Sequence, residues 1–148
     1  MERYISTKQF PPMSAAFRQH GATSHCRFIH GYGLTVKLTF AANVLDHRNW
    51  VVDFGGLKDV KAWLEETFDH KMIVAADDPD KEYFASMDEL GLAQVRVLPA
   101  VGCEAFARHV GIYVMSWLVD RGWAPRVALI ACEVREHDAN SAIYIPEE

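Results

Sequence analysis

Residues 33–40, GLTVKLTF, set Leu34, Val36, Leu38 and Phe40 against Thr35, Lys37 and Thr39. A period of two predicts a strand with one buried face. The stretch from about Tyr4 to Arg18 is also extended in character, but Pro11 and Pro12 interrupt it, which predicts a bulge or an edge strand. LDHRNW reads as a turn, and WVVDF as a short strand leading out of it. The period then changes. In GGLKDVKAWLEETF, Leu57, Val60, Leu64 and Phe68 share one helical stripe, with Lys58, Asp59, Lys61, Glu65 and Glu66 around it. A second helix is predicted in CEAFARHVGIYVMSWLVDRG, where Phe106, Val110, Tyr113, Val114 and Trp117 share a face and Gly122 stands at the C-terminal cap. RVALIACEV and SAIYI read as closing strands. Between the helices, residues 72–98 form an insertion containing DDPDKEY, a short helix to about Leu90, and a strand-like QVRVL.

Strands separated by packed helices predict an α+β fold with an antiparallel sheet, in one domain over residues 1–148. Such a small sheet has two open edges, and oligomerisation that closes it into a barrel would remove them.

Composition narrows the function classes. With 148 residues and half of them hydrophobic, the chain is long enough for a sizeable core. A formal net charge of -5 argues against nonspecific nucleic-acid binding, since no basic excess covers a phosphate backbone. No apolar run reaches the roughly 20 residues that span a bilayer, and MERYISTKQF has no apolar signal region. Three cysteines, Cys26, Cys103 and Cys132, make no disulfide framework, so a reducing cytoplasm is the expected location.

Three groups of residues carry candidate chemistry. Cys26 precedes His30 by four residues, and a thiol acts as nucleophile or base only as a thiolate, which an imidazole promotes. Asp69 directly precedes His70, and an Asp that orients an imidazole is a recurring acid/base device. Glu136, near the end of a closing strand, offers a carboxylate for two parallel N–H donors; Glu133 and Glu104 compete for that role. Considered singly, each has a bland alternative: a buried thiol, a histidine capping carbonyls, a solvated glutamate. His20, His25 and His30 fall five residues apart, which fits neither the helical nor the strand spacing of a zinc pair.

Taken together, these blocks resemble the 6-pyruvoyl-tetrahydropterin synthase and 6-carboxytetrahydropterin synthase family. MSAAFR resembles its F-x-A-A-H-R, and CRFIHGYGL its C-x-x-x-H-G-H. NWVVDFGGLK is similar to G-W-x-x-D-F-x-x-L-K, the most specific match, and FDHK to L-D-H-x. CEAFARHV resembles S-E-x-x-A-x-x-I, and VREHDANSAIY has the shape of the family's V-x-E-T segment and its later Tyr.

The resemblance implies the tunnelling fold: a four-stranded antiparallel sheet with two helices on one face, closed into a barrel as a homotrimer or homohexamer, with active sites between subunits. It implies a pterin triphosphate substrate, 7,8-dihydroneopterin triphosphate, and loss of its triphosphate. One branch shortens the side chain to a carboxylate with release of acetaldehyde, towards queuosine; the other gives 6-pyruvoyl-tetrahydropterin. By this resemblance Cys26 is the proton-moving thiol, Asp69 and His70 the acid/base pair, and Glu136 the pterin anchor. Cys103 and Glu104 then belong to the pterin-pocket segment. Arg18, Arg27, Lys71 and Arg108 are triphosphate contacts on charge alone.

The family also holds zinc through three histidines. Here Phe17 and Tyr32 stand at the first and third of those positions, and His30 alone remains. Three expectations follow. The zinc site has moved to include His20 and His25 with His30; or a pterin is processed without metal; or the chain binds a pterin without catalysis.

Overall fold

The computed structural model describes residues 1–147. Its strands are β1 (Tyr4–Gln9), β2 (Met13–Phe17), β3 (His30–Ala42), β4 (Lys71–Ala75), β5 (Val95–Leu98), β6 (Ala128–His137) and β7 (Asn140–Tyr144). Its helices are α1 (Lys58–Phe68), α2 (Lys81–Glu89) and α3 (Cys103–Asp120). The sheet runs β5-β4-β2-β3-β6-β7, and β1 pairs with β3 beyond β2. Seven strands and three helices thus replace the four and two expected from the resemblance, within the same α+β class.

The centre of the sheet is β3, whose alternation behaves as the sequence predicts. Leu34, Val36, Leu38 and Phe40 are all fully buried. Each contributes about 2 kcal/mol of apolar burial. They meet Val60, Leu64 and Phe68 of α1 and Phe106, Val110 and Val114 of α3 in one buried cluster. The two helices also touch directly: Trp63 stacks on Tyr113 at 3.8 Å, and Phe68 meets Phe106 edge-on at 5.3 Å. Gly111 of α3 leaves room for Tyr144 of β7, because a Cβ there would stand 2.6 Å from the ring.

β1 and β2 run along one edge of β3, with Gln9 opposite Lys37 and Met13 opposite Leu34. Pro11 and Pro12 lie at the joint, where missing N–H groups cost no ladder bond. Phe10 still donates to the Val36 carbonyl at 2.9 Å.

Two segments differ from the sequence reading. WVVDF is not a strand: it is irregular chain entering a turn of 3-10 helix at Phe54–Leu57, capped where the Asp53 carboxylate accepts from the Gly55 N–H. Its Val51 and Val52 are buried without a ladder. Conversely, KMIVA is β4, which pairs in parallel with both β2 and β5. All five residues of β4 are buried, so no alternation marks it, as expected of a parallel strand covered on both faces. The insertion is therefore a β-α-β extension of the sheet, with α2 at its margin.

Candidate active site

Phe17, at the end of β2, pairs with His30, at the start of β3. Tyr32 follows two residues on and shares the face of His30. Their rings form a triangle: Phe17–His30 at 5.2 Å, His30–Tyr32 at 5.1 Å and Phe17–Tyr32 at 5.8 Å between centres. Phe17 backs edge-on against Phe106 at 5.0 Å, which ties the triangle to the core. The His30 Nδ1 lies 2.7 Å from the Phe28 carbonyl. A carbonyl only accepts, so Nδ1 carries a proton, and in the neutral imidazole Nε2 is the acceptor.

This triangle forms one wall of a cavity of about 700 Å³ that also gathers Cys26, Cys103, Glu104 and Glu136. That size suits a small heterocyclic ligand. Cys26 sits in a turn of 3-10 helix at His25–Arg27 capped by Ser24, and its carbonyl accepts from the Gln19 N–H at 2.7 Å. It is exposed, whereas Cys103 and Cys132 are buried.

The opposite wall is built by α3 and β6. Gly102 has φ 111, a region that favours glycine, and its turn starts α3 so that Cys103 and Glu104 occupy the first turn. The Cys103 thiol donates to Glu136 Oε2 at 3.6 Å, and Asn140 Nδ2 donates to Oε1 at 3.3 Å. Burial, reinforced by the neighbouring Glu136 carboxylate, pushes the Cys103 thiol up to about 12. It is therefore a donor at neutral pH. A carboxylate has about four acceptor positions, so Glu136 retains capacity for a ligand. Burial also raises Tyr32 above its ordinary value, helped by Glu136, Cys26 and Cys103 across the cavity. Its hydroxyl is protonated at neutral pH.

The remaining sequence candidates lie elsewhere. Asp69 and His70 sit at the far end of β2: Ser14 N–H donates to Asp69 Oδ1 at 3.0 Å, and His70 N–H donates to the Ser14 carbonyl at 2.6 Å. The two side chains do touch, with His70 Nδ1 3.1 Å from Asp69 Oδ2, and His70 adopts φ 58. Burial works to raise the Asp69 pKa, but the Ser14 N–H and His70 outweigh it, and the carboxyl sits below its ordinary value. Neither side chain lines the cavity. His20 pairs with Asp77 at 3.2 Å, and neither His20 nor His25 joins His30 at the cavity wall.

No arginine or lysine lines the cavity. Arg18 is held in a double contact with Asp78 and a further one with Asp80, and the buried Lys71 donates to the Asp69 carbonyl at 3.1 Å. Arg27 covers the Phe28 ring, and Arg108 lines a separate groove beside Trp63. Charge alone did not distinguish these internal pairs from free cations. Tyr32 and Asn140, by contrast, line the cavity, although the sequence marks Tyr32 only as a replaced zinc position and Asn140 only by the segment that carries it.

The resemblance implies three zinc-binding histidines at the positions of this triangle, so its fit to zinc can be judged by donor chemistry. One imidazole, one protonated phenol and one phenyl ring do not provide the three or four N, S or O donors that zinc takes. Among the described residues no group of three or more His, Cys, Asp or Glu side chains is arranged to hold a metal. The residues present do not fit the group.

A second hollow of about 440 Å³, between Tyr4, Trp50 and Phe54, gathers no comparable acid/base set; its carboxylate, Asp53, caps the neighbouring turn.

Comparison with known proteins agrees with the motifs. Residues 6–147 match the family model described as 6-pyruvoyl tetrahydropterin synthase. A 6-carboxy-5,6,7,8-tetrahydropterin synthase from Rickettsia felis is 40% identical over 67 residues, 45% of this chain and 49% of that protein. The chain thus spans about half the length of that relative. The same-named protein of Aquifex aeolicus is 23% identical over 90% of this chain and 83% of its own length. Among solved structures, an uncharacterised protein from Wolinella succinogenes aligns with TM-score 0.85 at 20% identity, covering 99% of this chain and 100% of its own. The 6-pyruvoyl tetrahydropterin synthase of Caenorhabditis elegans aligns with TM-score 0.68 at 18% identity, covering 99% and 98%. At those identities the structures speak to the fold, while the family model covers nearly the whole sequence. The chain belongs to the 6-pyruvoyl tetrahydropterin synthase family.

Proposed function

We propose that the chain is a lyase acting on 7,8-dihydroneopterin triphosphate, in pterin or queuosine-precursor synthesis in the cytoplasm. The observation that carries this reading is the convergence of Cys26, Cys103 and Glu136 on one cavity of ligand size. Glu136, held from both sides by Cys103 and Asn140, presents its remaining acceptor positions to the paired N–H groups of an aminopyrimidinone edge. Cys103 and Glu104 border the same ring pocket. Cys26, on the exposed turn, removes and returns a side-chain proton.

Loss of triphosphate then follows ordinary elimination. The proton leaves the carbon next to the phosphorylated carbon. The C–O bond breaks with its electron pair on triphosphate. The resulting enol is reprotonated to a carbonyl. A second proton carrier is needed for that return. The Asp69-His70 pair suits the task, but in one chain it stands at the other end of β2. A homotrimer or homohexamer, closing the open edges of β1 and β7 into a barrel, would bring the pair of one copy to the cavity of the next. The same neighbour would supply the cations for the triphosphate that this cavity lacks.

The test is incubation with 7,8-dihydroneopterin triphosphate, with products followed by liquid chromatography and mass spectrometry. Release of triphosphate with a shortened or oxidised side chain is expected, and acetaldehyde marks the carboxylate branch. Tight binding without any release overturns the lyase reading in favour of a pterin-binding module.

A further inference from the structure

The Phe17, His30 and Tyr32 rings stand at 5.2, 5.1 and 5.8 Å between centres. These are ordinary distances for packed rings, and all three side chains lie together on one wall of the cavity. Phe17 contributes no lone pair. Tyr32 contributes a half-buried hydroxyl on the cavity wall, near Glu136, Cys26 and Cys103. His30 is oriented by its Nδ1–H bond to the Phe28 carbonyl, which leaves Nε2 as the acceptor of the neutral ring. What a metal would do for an oxygen ligand, a neutral donor and a neutral acceptor can do in part: hold a hydroxyl group by two complementary hydrogen bonds.

We propose that the Phe17–His30–Tyr32 triangle is a metal-free subsite for the hydroxylated side chain of a planar heterocycle. Tyr32 donates to one side-chain oxygen, His30 Nε2 accepts from a side-chain hydroxyl, and Phe17 is the apolar floor between them and Phe106. This rests on the pterin reading of the cavity and adds to it which groups select the side chain. Tyr32 is a specificity-determining residue in this scheme.

Two probes separate ring from side chain: 7,8-dihydroneopterin, which carries hydroxyls, and 7,8-dihydropterin, which carries none. Affinities are measured by fluorescence titration with and without dipicolinate, and zinc per chain by elemental mass spectrometry. Tyr32→Phe keeps the ring and its packing and removes the hydroxyl. It should weaken 7,8-dihydroneopterin about tenfold and leave 7,8-dihydropterin within about twofold. Dipicolinate should change neither affinity of the wild-type chain. The double variant F17H/Y32H, checked for fold by circular dichroism, should take up close to one zinc per chain under conditions where the wild type takes up less than about a tenth. Equal binding of the two probes by the wild type overturns the subsite alone. So does an equal effect of Tyr32→Phe on both, or a wild-type chain that holds about one zinc and loses 7,8-dihydroneopterin with it. Failure of the wild type to bind either probe overturns the pterin reading and the subsite with it.

Discussion

The two ends of strand β2 carry the two halves of the candidate chemistry, and they are built differently. At the Phe17 end, a concave wall gathers two thiols, two carboxylates and three rings around a cavity of about 700 Å³. At the Ser14 end, Asp69 and His70 form a contact dyad on an exposed turn; the His70 side chain is 76% exposed. The first region has a place for a ligand and one proton carrier. The second has an oriented acid/base pair and no comparable cavity of its own. About 10 Å of strand lies between them. The difference teaches that each end offers what the other lacks, which is why the proposed function draws on two identical chains for one site.

The strongest way to break this comparison is complementation. Cys26→Ala and His70→Ala should each lower turnover of 7,8-dihydroneopterin triphosphate by about 10²–10⁴-fold. Unfolding both variants together and refolding the mixture should restore a substantial part of the activity, because some sites then receive an intact Cys26 and an intact His70. A mixture no more active than its parts would show that the two ends never meet across chains.

A smaller effect sharpens the role of the cavity end. Glu136→Gln keeps the shape but removes the charge. It should weaken a pterin probe about 10–100-fold in titration, with an unchanged circular dichroism spectrum. His70→Ala should leave the same affinity within a few fold, since its proposed task is to move a proton and not to hold the ring. Equal losses for the two variants would erase the distinction between the regions.

The smallest effect concerns what steadies the cavity end. Arg18, one residue beyond β2, is clamped by Asp78, whose side chain is only 1% exposed. The Arg18 guanidinium holds the Asp78 carboxyl below its ordinary range. A carboxyl depressed in the folded state adds stability above its unfolded pKa of about 3.9 and loses it as pH falls through the lower folded value. Asp78→Asn should therefore cost about 2 kcal/mol at pH 7 in urea denaturation. The gap to wild type should narrow as pH falls below about 4. A gap independent of pH would mean that the clamp acts through packing and not through charge.

How much of this was legible beforehand follows from how each segment is solvated. β3 and α1 each bury one face, so their periods of two and of roughly three to four show in the residue pattern. β4 is covered on both sides and shows no period, and Val51 and Val52 are apolar because they are buried, although no strand forms there. At the site, Cys26, His30, Cys103, Glu104 and Glu136 lie in motif blocks scattered along the chain, and the fold gathers them at one cavity. The partners of His20 and Arg18 were not legible, because Asp77, Asp78 and Asp80 come from a turn some 60 residues away that only the β-α-β extension brings alongside. Nor could a motif reveal that Asp69 and His70 face away from Cys26 within one chain.

The central ladder of the sheet has a consequence for how the chain is made. β3 is complete by Ala42, yet its partner β6 does not begin until Ala128. On the ribosome, the longest strand waits for most of synthesis with only β1 and β2 on one side and a bare edge on the other. Late closure of this kind slows folding and exposes the nascent strand to pairing with the wrong neighbour. Any arrest of translation between α1 and α3 leaves that edge open, and the polypeptide then depends on a chaperone to keep it from coalescing with its siblings.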